Sequence, residues 1–287
     1  MNQLCSKPKG DPRYMEDYWV CTSKYAAVFD GATPKTAFLF PGDVTPGQMA
    51  ARTLAHTLDA LPPDLTARQA VDRLTAQLAT ALQGHRAEAS GVIYSVARRE
   101  VWSVGDCQFA FISSDDSLTI YHNEKLIDRI LSQWRSSIIQ SYLTRGLLTP
   151  GQILADDPGR RIIQPYITRQ TRYQNIPSNS NPLAFGVFDG THIPNEYISV
   201  TPVPEQVTEI ILASDGYPQL CRTVQESEAV LQRLLLEDPL CIGPLCGTKG
   251  IRPGATCHDD RTYLKIDVPS SRTDGRSKRN STHPQQP

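Results

Sequence analysis

The sequence predicts one α+β domain, with largely antiparallel sheet and helices outside it. Three observations predict it. Short runs rich in aromatic and β-branched residues recur along the chain, broken by turn residues. Two capped amphipathic helices follow the first strand pair. Acidic residues stand at the ends of several strand-like runs, as if gathered to one place. The length of 287 residues, 39% hydrophobic and 21% charged, suits one large domain or two small ones.

The elements follow in order. "DYWVCT" and "KYAAVFD" read as strands around a Thr22-Ser23-Lys24 turn. In "TPGQMAARTLAHTLDAL", Thr45 is the N-cap, Pro46 the first helical residue and Gln48 the partner in a capping box. Ala50, Leu54, Leu58 and Leu61 share a face, and Pro62-Pro63 stops the helix. Thr66 and Gln69 cap a second helix, with an apolar stripe through Ala67, Ala70, Val71, Leu74, Leu78, Ala81 and Leu82. "GVIYSVA", "EVWSVGD", "CQFAFIS" and "SLTIYH" read as an antiparallel meander. Leu126, Ile127, Ile130, Leu131, Trp134 and Ile138 form one face of a helix that Gly146 ends. "TPGQ" at 149–152 caps a short helix, and Asp157-Pro158 opens another that Pro165 kinks. "PLAFGVF", "EYISV", "TEIILAS" and "RTYLKID" are the later strands, with a helix in "ESEAVLQRLLLED". The expected boundaries are a domain over 1–268, with 124–180 as a basic helical flap or insert carrying Arg160, Arg161, Arg169 and Arg172, and a disordered tail over 269–287.

Composition excludes several classes. A net charge of −1 gives no general case for nucleic acid or an anionic membrane. No apolar run approaches the roughly 20 residues of a membrane helix, and the N-terminus lacks the apolar core of a secretion signal. Seven scattered cysteines, with Cys241 and Cys246 the only close pair, do not make a zinc site and suit reduced thiols in a cytoplasm. The sequence carries no signal for an oligomeric state.

The acids lie in "YAAVFDGAT" (Asp30-Gly31), "WSVGDCQFAF" (Asp106), "ILASDGYPQL" (Asp215-Gly216) and "CHDDRTYLKID" (Asp259, Asp260). Taken singly, an Asp-Gly after an apolar run is ordinary turn chemistry. Together, "RYMEDYWV", "AAVFDGAT", "SVGDCQFAF", "EIILASDGYPQL" and "DDRTYLKI" resemble, in order and spacing, the metal-dependent protein phosphatases of the 2C type, especially bacterial members. They span about residues 10–267.

The resemblance implies a two-layer antiparallel β-sandwich flanked by helices in an α-β-β-α arrangement. It implies two Mn²⁺ or Mg²⁺ ions at one end of the sandwich, activating a bridging water against a phosphomonoester. Hard ions of this kind prefer carboxylates, carbonyls and water. On this basis Asp30 bridges the ions and the Gly31 carbonyl binds one of them. Asp215 and Asp259 complete the other, and Glu16 contacts the second ion. Asp17 and Asp260 support the ligands from behind. Asp106 is the expected ligand of a third, weaker ion, with Asp189 a further candidate.

The pattern departs in two places. The family often carries a phosphate-gripping arginine four residues before the first acid; here Arg13 stands three before Glu16, with Lys7 or Lys9 as substitutes. Where many members have His-Gly-Gly after the Asp-Gly, this chain has Ala32-Thr33-Pro34, and His258 is the nearest other candidate for a proton donor. The resemblance therefore implies a serine/threonine phosphatase acting on phosphorylated proteins. Its alternatives are the same chemistry on a small phosphorylated molecule, or a phosphatase-like binding module of weak activity. An aspartyl-phosphate enzyme needs a second acid two residues after the first, which "FDGAT" lacks.

Overall fold

Ten strands, in the computed structural model of residues 1–33 and 38–269, form two five-stranded sheets. The first sheet contains β1 (Gln3–Lys7), β6 (Gln108–Ser113), β7 (Leu118–Tyr121), β9 (Val207–Ala213) and β10 (Arg261–Asp267), in the order β1-β10-β9-β6-β7. The second contains β2 (Asp17–Cys21), β3 (Tyr25–Ala32), β4 (Glu88–Ser95), β5 (Glu100–Val104) and β8 (Ser199–Pro202), in the order β2-β3-β4-β5-β8. Every strand pairing is antiparallel. The expected tail lies outside the described residues except for Pro269, as does Pro34.

The side-chain period of two stacks the layers. On β3, Ala26 and Val28 face the first sheet, where they meet Phe109, Ile210, Leu212 and Leu264. The alternate residues Tyr25, Ala27 and Phe29 face two helices, α1 (Pro46–Ala60) and α2 (Ala67–Leu82). On β9 and β10, Ile211, Ala213 and Tyr263 face α6 (Val224–Glu237) through Leu231 and Leu235. The result is helix, sheet, sheet, helix, with each buried large apolar side chain contributing about 1.5–3 kcal/mol. Both expected capping boxes, at Thr45/Gln48 and Thr66/Gln69, are formed.

Residues 124–180 hold α3 (Leu126–Thr144), α4 (Pro150–Ala155) and α5 (Pro158–Arg169). Ile127, Leu131 and Ile163 bury themselves against Phe185 and Val187. Lys125 and Asp128 at the start of α3, and Arg160 and Thr168 on α5, line a cavity that also holds the acids.

Two expectations are corrected, and one strand is added. The meander breaks after β5, because β6 pairs with β7 and β9 in the other sheet. Both strands are buried on both faces, so alternation carries no signal of which sheet each joins. "PLAFGVF" is not a strand; Phe185 and Phe188 make isolated bridges to Gln174 and Ala89, and their rings fill separate helix-lined cores. The N-terminal residues form β1, a half-exposed edge strand too polar to announce itself.

Candidate active site

The acids meet where the ends of the two sheets come together. Asp30 on β3 lies opposite Asp17 on β2. Asp215 follows β9, and Asp259 and Asp260 precede β10, its neighbour. The sheets are tied across this end by Ser214, whose Oγ donates to Asp17 Oδ2 at 2.6 Å and accepts the Thr262 N–H at 2.9 Å. Gly216 follows Asp215 because there is no room for more: a Cβ there would lie 2.0 Å from the Asp260 carbonyl oxygen. Gly31 is crowded in the same way, with a Cβ falling 2.2 Å from the Gly47 oxygen in the first turn of α1. Gly31 and Gly216 are thus packing requirements of the site; Asp215-Gly216 is a turn, whereas Asp30-Gly31 lies within β3.

Asp260 organises the loop before β2. Its carboxylate accepts the Lys9 N–H at 2.8 Å and the Glu16 N–H at 3.1 Å. Glu16 turns its own carboxylate to the hydroxyls of Thr33 and Thr45, the latter at 2.7 Å. Thr45 is also the N-cap of α1, so the start of the helix fixes the loop that carries Glu16. Gln48 strengthens this, donating to the Arg13 and Met15 carbonyls at 2.6 and 3.0 Å.

Asp30, Gly31, Asp106, Asp215, Asp259 and Glu16 all line one cavity of about 320 Å³. Asp106, Asp215 and Asp259 also line an adjoining cavity of about 610 Å³, which reaches His258. A groove of about 760 Å³ on α4 and α5, lined by Arg160, Arg161, Arg169 and Arg252, meets the first cavity at Arg160 and Thr168. Arg172 lines neither.

The carboxylates divide into two kinds. Asp30 is pushed well above the usual range by burial, then by Asp17 and Asp215 beside it. Desolvation inside the cavity, with Asp106 and Asp259 adding to it, raises Asp215 to about 7, although the residue is exposed at the cavity wall. Burial likewise raises Asp17 to about 7, and its Oδ1 is buried with no partner. These three acids lack cationic contacts among the described residues. Asp259 is different. Lys9 Nζ lies 2.9 Å from one of its oxygens and Lys249 Nζ 2.7 Å from the other. Burial opposes its charge, but Lys249 and then Lys9 outweigh it and hold Asp259 well below the usual range. Asp106 is held down in the same way, with Lys125 Nζ at 2.9 Å overcoming burial.

Arg13 is not brought to the site. Its side chain is 78% exposed, pairs with Asp11 and lies over the Tyr14 ring. The shorter spacing to Glu16 places it in a 3-10 turn (Pro12–Tyr14) that aims outward. Lys9 stands in the cavity instead. Asp189 is also elsewhere, bonded to Asn175 and Thr191. Among the described residues, no three Asp, Glu, His or Cys side chains form a group ready to hold a metal ion.

Lys125, Lys249 and Arg135 were not legible as site residues. Arg135 on α3 is fully buried and bonds Asp157 at 2.7 Å, and it donates to the carbonyls of Leu240, Cys241 and Gly247. It thereby anchors the loop that brings Lys249 to Asp259. A lone Arg in a helical stripe otherwise apolar, at 135, was the available signal.

No protein-family model and no curated protein matches this sequence. Solved structures do match over nearly the whole chain. A bacterial serine phosphatase is 13% identical, with 94% of this chain and 98% of that one covered and a TM-score of 0.50. The fold is protein phosphatase 2C-like. The Mycobacterium tuberculosis serine/threonine phosphatase PstP is 14% identical over 93% of this chain and 97% of its own, with a TM-score of 0.46. Staphylococcus aureus Stp1, also a serine/threonine phosphatase, is 13% identical over 93% of each chain, with a TM-score of 0.46. The 2C-like fold agrees with the sandwich that the five motifs implied.

Proposed function

We propose that this chain is a divalent-metal-dependent phosphomonoesterase of the 2C type, acting on phosphoserine and phosphothreonine in proteins. The observation that carries this is the Asp30–Asp215 pair. Two carboxyls from different sheets, Asp30 half-buried on β3 and Asp215 exposed just after β9, line one cavity, with the buried Asp17 opposite Asp30. Like charges crowded into one cavity call for a cation or a proton. Carboxylate oxygens are hard donors that suit Mn²⁺ or Mg²⁺ rather than a softer ion.

Asp30 and Asp215 would hold the ion, with the Gly31 carbonyl at the cavity wall beside them. Asp259 would join by exchanging its lysine partners for the ion, and Glu16 lies across the same cavity. A divalent ion held there supplies Lewis acidity, lowering the pKa of a bound water and polarising a phosphoryl oxygen. Lys9 and Lys249, once released from Asp259, are the cationic groups in position to bind the phosphate dianion, the task first expected of Arg13. No histidine lines this cavity among the described residues, so no imidazole protonates the leaving alkoxide from within it.

One observation favours a second reading. Both oxygens of Asp259 are already neutralised by lysines, and Asp106 by Lys125. A site that satisfies its carboxylates internally suits a phosphatase-like binding module of weak activity. A small phosphorylated molecule in the same cavity is the other alternative substrate.

Seven unpaired cysteines suit the reducing cytoplasm expected for the protein. No helix among the described residues is long and apolar enough to cross a membrane.

Phosphate release tests the reading, with phosphothreonine peptides compared against aryl and sugar phosphates. The expected result is turnover with Mn²⁺ or Mg²⁺, lost on chelation and highest on peptides. Turnover that survives exhaustive chelation would overturn the metal, and preference for a small ester would overturn the protein substrate.

A further inference from the structure

Lys125 stands immediately before α3 with its side chain only 15% exposed. Its ammonium lies 2.9 Å from Asp106 Oδ2 and 5.3 Å from the centre of the Phe185 ring. Glu88 on β4 and Asp128 on α3 line the same cavity and add their charge to that of Asp106 around it. Ser90 donates to the other oxygen of Asp106. Both Asp106 oxygens are therefore occupied, and one face of the ammonium is covered by an aromatic ring that attracts cations. Neither Phe185 nor the Lys125 stem can ligate a divalent ion, so the cradle is shaped for an ammonium.

Ile127, two residues after Lys125, is buried against Ile163, Phe185 and Val187. Packing of α3 thus fixes where the lysine starts, and Asp128 accepts a 2.6 Å hydrogen bond from Gln170 on the facing 3-10 turn (Gln170–Tyr173). Asp189, the other acid expected near Asp106, is committed to its own turn.

We infer that Lys125 is a built-in cation that takes the place of a further metal ion at Asp106, so that this acid holds an ammonium and the chain binds divalent metal only on the Asp30–Asp215 side of the cavity. The inference deepens the proposed metal-dependent function and rests on it for the neighbouring ions. Its consequence is that the positive charge beside the site does not depend on a further bound metal ion. Lys125 is in this sense a positioning residue, holding Asp106 and the start of α3 against the cavity.

Mn²⁺ binding by calorimetry, with the bound metal counted after desalting, tests it on the full chain. Asp106→Asn is expected to bind as many ions as the unaltered protein, with affinity changed less than about threefold. Lys125→Met leaves the carboxylates of Asp106, Glu88 and Asp128 without their cation, and is expected to bind one more Mn²⁺ per chain. That extra ion is expected to vanish in the Lys125→Met, Asp106→Asn double variant. Loss of an ion in Asp106→Asn alone overturns the inference, as does a folded Lys125→Met that gains none. If Lys125→Met does not fold, the Asp106→Asn stoichiometry decides. Absence of Mn²⁺ from the unaltered protein overturns the proposed function separately, and the gain or lack of gain in Lys125→Met still decides the role of the lysine.

Discussion

Ser214 Oγ, at the end of one sheet, donates to Asp17 Oδ2, at the start of a strand in the other, at 2.6 Å with both residues buried. This bond fixes the distance between the strands that carry Asp30 and Asp215. Ser214→Ala leaves a buried carboxyl without its donor and the Thr262 N–H without its acceptor. The expected loss is about 1–3 kcal/mol, read as a lower urea midpoint with an unchanged slope.

Asp30 crowds Asp17 and Asp215, so its charge opposes folding when no cation is present. Asp30→Asn is expected to raise the melting temperature of chelated protein, or leave it unchanged. It is also expected to shrink the stabilisation that Mn²⁺ gives, since only the native state binds the ion. Thermal scans with and without Mn²⁺ check both signs.

Arg135→Met is expected to be among the most destabilising changes outside the sheets. It removes the guanidinium paired with Asp157 and three donors to the loop that carries Lys249. Breaking a buried pair from one side costs about 3–5 kcal/mol, measured by denaturant unfolding. Arg135→Lys is expected to recover only part of this, because an ammonium cannot reach the same fork of acceptors.

Glu228 accepts from Arg261 at 2.7 Å, Tyr217 at 2.7 Å and Lys7 at 3.0 Å. Burial opposes its charge, but Arg261, Tyr217 and Lys7 outweigh it and lower its pKa to about 2 from an ordinary 4.5. A depressed carboxyl stabilises the fold above its unfolded pKa and loses that contribution as pH falls through the folded one. Glu228→Gln is therefore expected to be less stable than the parent at pH 7. The gap is expected to narrow between pH 4.5 and 2, and melting curves across that range check it.

Much of this was legible in the sequence because local chemistry dictated it. The boxes at Thr45/Gln48 and Thr66/Gln69 fix their helices without help from the rest of the chain. The Asp-Gly pairs are visible because steric crowding at Gly31 and Gly216 allows nothing larger. What could not be read depends on partners distant in sequence. The switch between sheets after Val104 depends on which β-ladder accepts β6. Lys9 and Lys249 converge on Asp259 from segments 240 residues apart, and neither sits in a motif. Arg13 was misplaced because spacing to Glu16 does not report the direction of the turn between them.

The most direct test of the account is phosphate release from a phosphothreonine peptide by the unaltered protein and Asp215→Asn, across a Mn²⁺ titration that starts from chelated enzyme. The expected result is no turnover without metal, saturable activation of the parent, and a loss of at least about 10²-fold in Asp215→Asn, equivalent to about 3 kcal/mol of transition-state stabilisation. Turnover in the chelated parent, or an Asp215→Asn variant that reaches parental rates at saturating Mn²⁺, would contradict it.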